Sequence, residues 1–197
     1  MVILYLFRSS SVISGHRTVA QMADSTPEEF DRVTHVNLRG VWNCMKHELR
    51  ELERQGGGAI VNCSFVGGLT RNPGISSYTA SKHGVIALTL TAALEYAARG
   101  TRVNAVCPGR IDTPIARAVA DWDEKRFEAL SKSAPIGGIG KPEEIAWVVL
   151  WLCSPGASYV VGHALVRRRW ADGSRLDAGL QRRRPSICRS RQAFRRT

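Results

Sequence analysis

Tyr78 and Lys82 stand four residues apart in the stretch CSFVGGLTRNPGISSYTASKHG, residues 63 to 84. At that spacing two side chains share one face of a helix and lie within reach of each other. A free phenol titrates near pH 10 and exchanges protons poorly at neutral pH. An adjacent ammonium stabilises the phenolate and lowers that pKa, which makes the tyrosine a usable general acid or base. Taken alone, the spacing is more often the mark of a surface Tyr–Lys neighbour than of a site. Position gives it weight. The pair opens a helix just after a short apolar strand and a Gly-rich loop, where α/β folds gather ligands at the carboxyl ends of their strands.

The elements that must hold this pair can be read from local signals. In STPEEFDRV, Thr26 can cap, Pro27 suits the first helical position and Glu29 completes a capping box, so a helix is predicted over residues 27–53. AIVNCSF is a short run of β-formers and reads as a buried strand. A loop through Asn72, Pro73 and Gly74 leads to a second helix, about 76–99, with Gly100 placed for a left-handed cap. That helix is apolar nearly all round, which predicts cover on both sides. RVNAVCPG follows as a strand, then DWDEKRFEALSKS and KPEEIAWVVLWLCSP as helices and SYVVGHAL as a last strand. MVILYLF reads as a short buried strand at the start. Strands alternating with helices predict an α/β fold with a parallel sheet.

Composition excludes several classes. Of 197 residues 44% are hydrophobic and 23% charged, which is globular rather than disordered. The longest apolar run, Ile145 to Cys153, is far short of the roughly 20 residues that span a bilayer. Five scattered cysteines without a CxxC pair predict reduced thiols and a cytoplasmic setting. The five histidines show no metal-ligand spacing. The net charge of +11 sits mostly in residues 166–197, which hold eleven arginines and two aspartates. Two units are therefore expected: a globular domain over 1–165 and an Arg-rich, disordered tail over 166–197.

Five motifs in order, VNLRGVW, GAIVNCS, YTASK, RVNAVCPGRIDTP and GKPEEIA, give residues 24–165 a close resemblance to the short-chain dehydrogenase/reductase family. The resemblance implies the C-terminal portion of a Rossmann-like, doubly wound parallel sheet. It implies an NAD- or NADP-dependent oxidoreductase that interconverts an alcohol and a ketone by hydride transfer. Tyr78 would exchange the proton, and Lys82 would lower its pKa and hold the nicotinamide ribose. Asn37 would anchor the water of a proton relay. Pro108, Gly109 and Ile111 would pack on the nicotinamide, with Thr113 near its carboxamide.

Three departures accompany the resemblance. The family's substrate-polarising serine belongs thirteen residues before the tyrosine, and that residue is Phe65; Ser64 is one residue early, on the opposite face of the strand. A lost hydrogen bond to a developing charge costs about 1.5–3 kcal/mol, roughly ten- to a hundredfold in rate. No Gly-rich dinucleotide turn occurs, the family's first strands are lacking, and RSSSV stands in place of its Asn-Asn-Ala-Gly turn. The first remaining strand is then expected at an open edge. After GHAL the family's Val-Asp-Gly-Gly is replaced by VRRRW, which one choice of arginine codons reconciles with a one-base frameshift near Val166. The expected partners are a small alcohol or ketone and, as in the family, further copies of the chain. A non-catalytic fragment that joins intact homologues is the alternative, and nucleic-acid binding through the tail a weaker one.

Overall fold

Thr26 opens the first long helix with the box its sequence predicts. Its hydroxyl accepts from the Glu29 amide at 3.2 Å, and the Glu29 carboxylate accepts from the Thr26 amide at 3.4 Å. The computed structural model describes residues 2–6, 9–13, 17, 19–119, 123–125, 128 and 138–167. In chain order its main elements are β1 (Val2–Leu6), β2 (Ser9–Ile13), α1 (Pro27–Thr34), α2 (Gly40–Arg54), β3 (Gly58–Cys63), α3 (Ser76–Tyr96), β4 (Thr101–Pro108), α4 (Pro114–Val119), α5 (Pro142–Cys153) and β5 (Ala164–Arg167). A single π turn, His35–Arg39, joins α1 to α2, so the predicted 27–53 helix is one run with a widened middle.

The sheet runs β1-β2-β3-β4-β5, with β2 to β5 parallel. Alternation along β3 separates two cores. Ile60 joins Val41, Met45, Leu49, Val85 and Val103 under α2 and α3, whereas Val61 joins Val106, Val149 and Leu152 under α5. Helices thus cover both faces, the doubly wound α/β arrangement. Gly100 ends the α3 run at φ 79°, and its carbonyl accepts from the Gly58 amide at 3.0 Å, so β3 and β4 start together.

Several expectations change. The parallel strand next to β3 is Ser9–Ile13, in the stretch that stands in place of the family's Asn-Asn-Ala-Gly turn, and Val2–Leu6 folds back on it antiparallel. β1 is thereby the edge strand. Edge pairing of this kind is decided by the neighbouring strand and not by local pattern. The last strand starts only at Ala164, because Pro155–Ala157 form a turn and Gly162, at φ 64°, redirects the chain. Asn104 fixes that turn: its amide donates to the Val160 carbonyl at 2.8 Å and accepts from the His163 amide at 2.9 Å. β5 continues two residues past the expected boundary at 165, and residues 168–197 lie outside the described ones, as does most of the helix expected in DWDEKRFEALSKS. Cover over α3 is one-sided. Ser77, Ser81, Lys82, Val85, Ile86 and Thr89 face inward, but Leu94 is 86% exposed and Leu90 is 41% exposed.

Candidate active site

β3 ends at Cys63, and the chain crosses Ser64, Phe65 and the turn Val66–Gly68 before α3 begins at Ser76. This path brings Tyr78, in the first turn of α3, beside the carboxyl edge of the sheet. Lys82 lies one turn deeper and is 1% exposed. Its Nζ donates to the Cys63 carbonyl at 3.0 Å and stands 5.7 Å from the centre of the Tyr78 ring. Phe65 meets the same ring edge-on, 5.7 Å between centroids at 62°. Helical spacing and the strand end therefore converge on one pocket of side chains, as the sequence predicts for Tyr78 and Lys82.

The electrostatics differ from that expectation. Burial pushes the Tyr78 phenol up to about 12, with the nearby Cys63 thiol adding to the rise. The cation that opposes the rise is the Arg17 guanidinium, where Lys82 was expected. The Lys82 ammonium donates to the Cys63 carbonyl, and burial pulls its own pKa down. Burial is also the main cause that raises both neighbouring thiols, Cys107 to about 11, so they are neutral at pH 7.

Asn37 is fully buried within the π turn. Its Nδ2 donates to Ser81 Oγ at 3.2 Å, and Ser81 Oγ donates to the Tyr78 carbonyl at 2.7 Å. π turns recur at functional sites because they turn side chains out of helical register. The close approach depends on Gly84, where an added Cβ would stand 2.7 Å from Leu38 Cδ1. Asn37, expected as a water anchor, thus also braces the backbone that carries Tyr78.

Ser64 does not fill the place of the absent serine. The register of β3 on β4 is unbroken through Cys63, and the Ser64 amide continues it to the Val106 carbonyl at 2.9 Å. Its buried hydroxyl donates to the Lys82 carbonyl at 2.9 Å. At the end of β4, Pro108 is buried and Gly109 half-buried. Ile111 bridges Gly140, and Thr113 Oγ1 accepts from the Ala116 amide at 3.3 Å as the cap of α4. Sequence reasoning missed Arg17, Ser81 and Cys107. Nothing in a single sequence joins Ser81 to a residue 44 positions away.

Lys82 and the Pro108–Thr113 turn lie at the carboxyl edge of the sheet, the end at which the resemblance expects a nicotinamide and its ribose. Among the described residues nothing seats the pyrophosphate half. β1 runs antiparallel beside β2, so the sheet's carboxyl edge there ends in Val2 paired with Ile13. Among the described residues no strand-to-helix turn offers backbone amides at that point. No metal-ligand cluster and no helix long and apolar enough to cross a membrane occur among the described residues.

A doubly wound sheet with a Tyr–Lys pair at its carboxyl edge defines a dehydrogenase-like class of α/β protein. Comparison with known proteins gives the family. The family model described as enoyl-(acyl carrier protein) reductase matches residues 9–167. The chain is 45% identical over 138 residues to 3-oxoacyl-(acyl-carrier-protein) reductase FabG of Thermotoga maritima, covering 70% of this chain and 55% of that protein. Levodione reductase superposes with a TM-score of 0.77 at 34% identity, covering 82% of this chain and 64% of that one. ElxO with NADP bound superposes with a TM-score of 0.74 at 29% identity, covering 79% and 63%. The chain belongs to the short-chain dehydrogenase/reductase family, and it spans about half the length of the curated relatives it matches.

Proposed function

We propose that this chain carries the proton-transfer half of an oxidoreductase site for an alcohol or ketone, with Tyr78 as the group that exchanges the proton. The observation that carries this reading is Lys82, an ammonium held in the core by the Cys63 carbonyl directly beneath the Tyr78 ring. A bound NAD or NADP supplies the hydride in such chemistry. Lys82, Pro108, Gly109, Ile111 and Thr113 are the residues of this chain that would meet its nicotinamide end. Tyr78, protonated at neutral pH, donates to a carbonyl oxygen, which favours the reducing direction. Asn37 and Ser81 hold its backbone, and Phe65 walls the site without donating to the substrate oxygen. Relatives acting on ketones support the substrate class. The free thiols at Cys63 and Cys107 suit a reducing, cytoplasmic compartment.

The test is ketone reduction with NADH and NADPH, alongside a fluorescence titration of cofactor binding. Binding is expected to be weak, because no pyrophosphate cradle is formed among the described residues. Phe65→Ser is expected to raise turnover about ten- to a hundredfold by restoring a hydrogen bond to the developing charge. Tyr78→Phe is expected to remove turnover; activity equal to that of the unaltered chain would end the assignment.

A second reading follows from the uncovered face of α3. Leu94 and Leu90 on α3, and separately Trp42 on α2 at 48% exposure, are apolar side chains open to another copy or an intact relative. Light scattering is expected to show a dimer or larger species that Leu94→Glu dissociates. A monomer at all concentrations, unaffected by the substitution, counts against it.

A further inference from the structure

β4 ends at Pro108, and residues 109–113 carry the chain into α4. Past the end of a strand the backbone leaves its ladder and must find other partners. Here the first partner is Gly140. Ile111 bridges it in parallel, the Asp112 amide donates to the Gly140 carbonyl at 2.8 Å, and the Gly140 amide donates to the Arg110 carbonyl at 3.0 Å. The approach is close, since an added Cβ at Gly140 would stand 2.7 Å from Ile111 Cδ1. A further tie joins side chains. Arg117 Nε and Nη2 donate to the two carboxylate oxygens of Asp112, each at 2.7 Å.

The place of this fork in the chain gives it a geometric effect. Thr113 caps α4, and its carbonyl accepts from the Arg117 amide at 3.0 Å. Counted from that cap, Asp112 stands just before the helix and Arg117 is its fourth residue. At those two positions an apolar pair forms a hydrophobic staple, which fixes the angle at which a chain enters a helix. A bidentate ion pair takes its place here, and a planar fork restricts geometry as well as adding energy. With six residues, α4 is too short to hold its direction unaided. The hydrogen bonds from Arg117 keep the Asp112 carboxyl below its ordinary pKa, so both partners are charged at neutral pH. Arg117 also comes within 3.8 Å of Glu124, beyond α4. Stability does not account for the fork. Both side chains are more than a third exposed, and such pairs contribute little to a fold.

Resting on the nicotinamide end of the site as read above, we propose that Asp112 and Arg117 are positioning residues. Their fork sets the angle between β4 and α4, and with it the placement of Ile111 and Thr113. They act through the turn and not on a ligand directly.

The test measures binding of reduced nicotinamide mononucleotide to the 197-residue chain by ligand-observed NMR. This probe carries the ring and the ribose and needs no pyrophosphate seat. Hydrogen exchange at the Gly140 and Ala116 amides, which donate to the Arg110 carbonyl and to Thr113 Oγ1, reads the turn itself. The urea midpoint reads the whole fold. Arg117→Gln and Asp112→Asn are each expected to weaken the probe about two- to fivefold, the range an exposed pair can transmit. Each is expected to speed exchange at those two amides and to leave the urea midpoint where it was. The double variant is expected to lose no more than either single one, since either substitution breaks the same fork. Arg117→Lys, which keeps the charge but not the fork, is expected to fall between. Variants that bind the probe as the unaltered chain does overturn the proposal. So do losses that add in the double variant, or that follow a fallen urea midpoint. An unaltered chain that takes up no probe ends the nicotinamide reading, and exchange then decides the fork alone. Faster exchange confined to Gly140 and Ala116 upholds the fixed entry angle; unchanged exchange overturns it.

Discussion

Followed by ultraviolet absorbance, the Tyr78 phenol is expected to ionise with a pKa of about 12, two units above a free tyrosine. The difference spectrum against Tyr78→Phe isolates it from the other three tyrosines. Burial is the main cause, because moving a phenolate out of water is costly, and only Arg17 pulls the other way. The consequence for stability has a definite sign. The folded state holds this proton more tightly than the unfolded chain, so the contribution is complete below about pH 10 and is lost as pH rises through about 12. Two units correspond to about 2–3 kcal/mol. Urea midpoints should therefore fall over that window in the unaltered chain and fall less in Tyr78→Phe. Arg17→Gln is expected to move the phenol further up. A phenol that titrates at or below 10 would show that Lys82 governs it after all, the arrangement the spacing alone suggested.

What the sequence disclosed and what it hid follow from the range of the forces involved. Thr26, Pro27 and Glu29 announce a helix start because a cap is made within one turn, and the structure forms that box. Gly100 announces a stop because only glycine enters the left-handed region without strain. Tyr78 and Lys82 announce each other because i, i+4 is a local contact. Ser9–Ile13, with three serines, carries no strand signal of its own; it is a strand because it pairs with Ala59–Asn62. Arg17 has no periodicity to mark it and gains meaning only when Ala20 meets Ile75. The electrostatics of Tyr78 depart from the expectation for a related reason. Spacing fixes which residues are neighbours, but depth of burial sets the direction in which each of them titrates.

Truncating Lys82 to alanine is expected to cost the fold about 2–4 kcal/mol, whereas Lys82→Met is expected to cost less than about 1.5. Lys82 heads the large side chains that are fully buried, so its stem fills core volume as a methionine would. Removing the stem leaves a cavity, and removing the ammonium strips the Cys63 carbonyl of its donor, a loss of about 1–3 kcal/mol. Against both stands a gain. Burial already lowers the Lys82 pKa from its ordinary 10.5, so the folded chain binds this proton less tightly than the unfolded chain. The unaltered protein therefore gains stability as pH rises through the window below 10.5, and both variants lose that slope. Urea unfolding at pH 7 and pH 10 separates the contributions. Lys82→Ala falls at both values, while Lys82→Met approaches or exceeds the unaltered chain at the lower one. Should Lys82→Met fall as far as Lys82→Ala, the hydrogen bond to Cys63 and not the packed volume holds the junction of β3 and α3. With the volume argument upheld, an uncharged side chain would serve the fold as well as lysine does. The ammonium is then retained at a cost to stability, and under the role proposed for Tyr78 the expected result is that Lys82→Met keeps the fold and loses turnover.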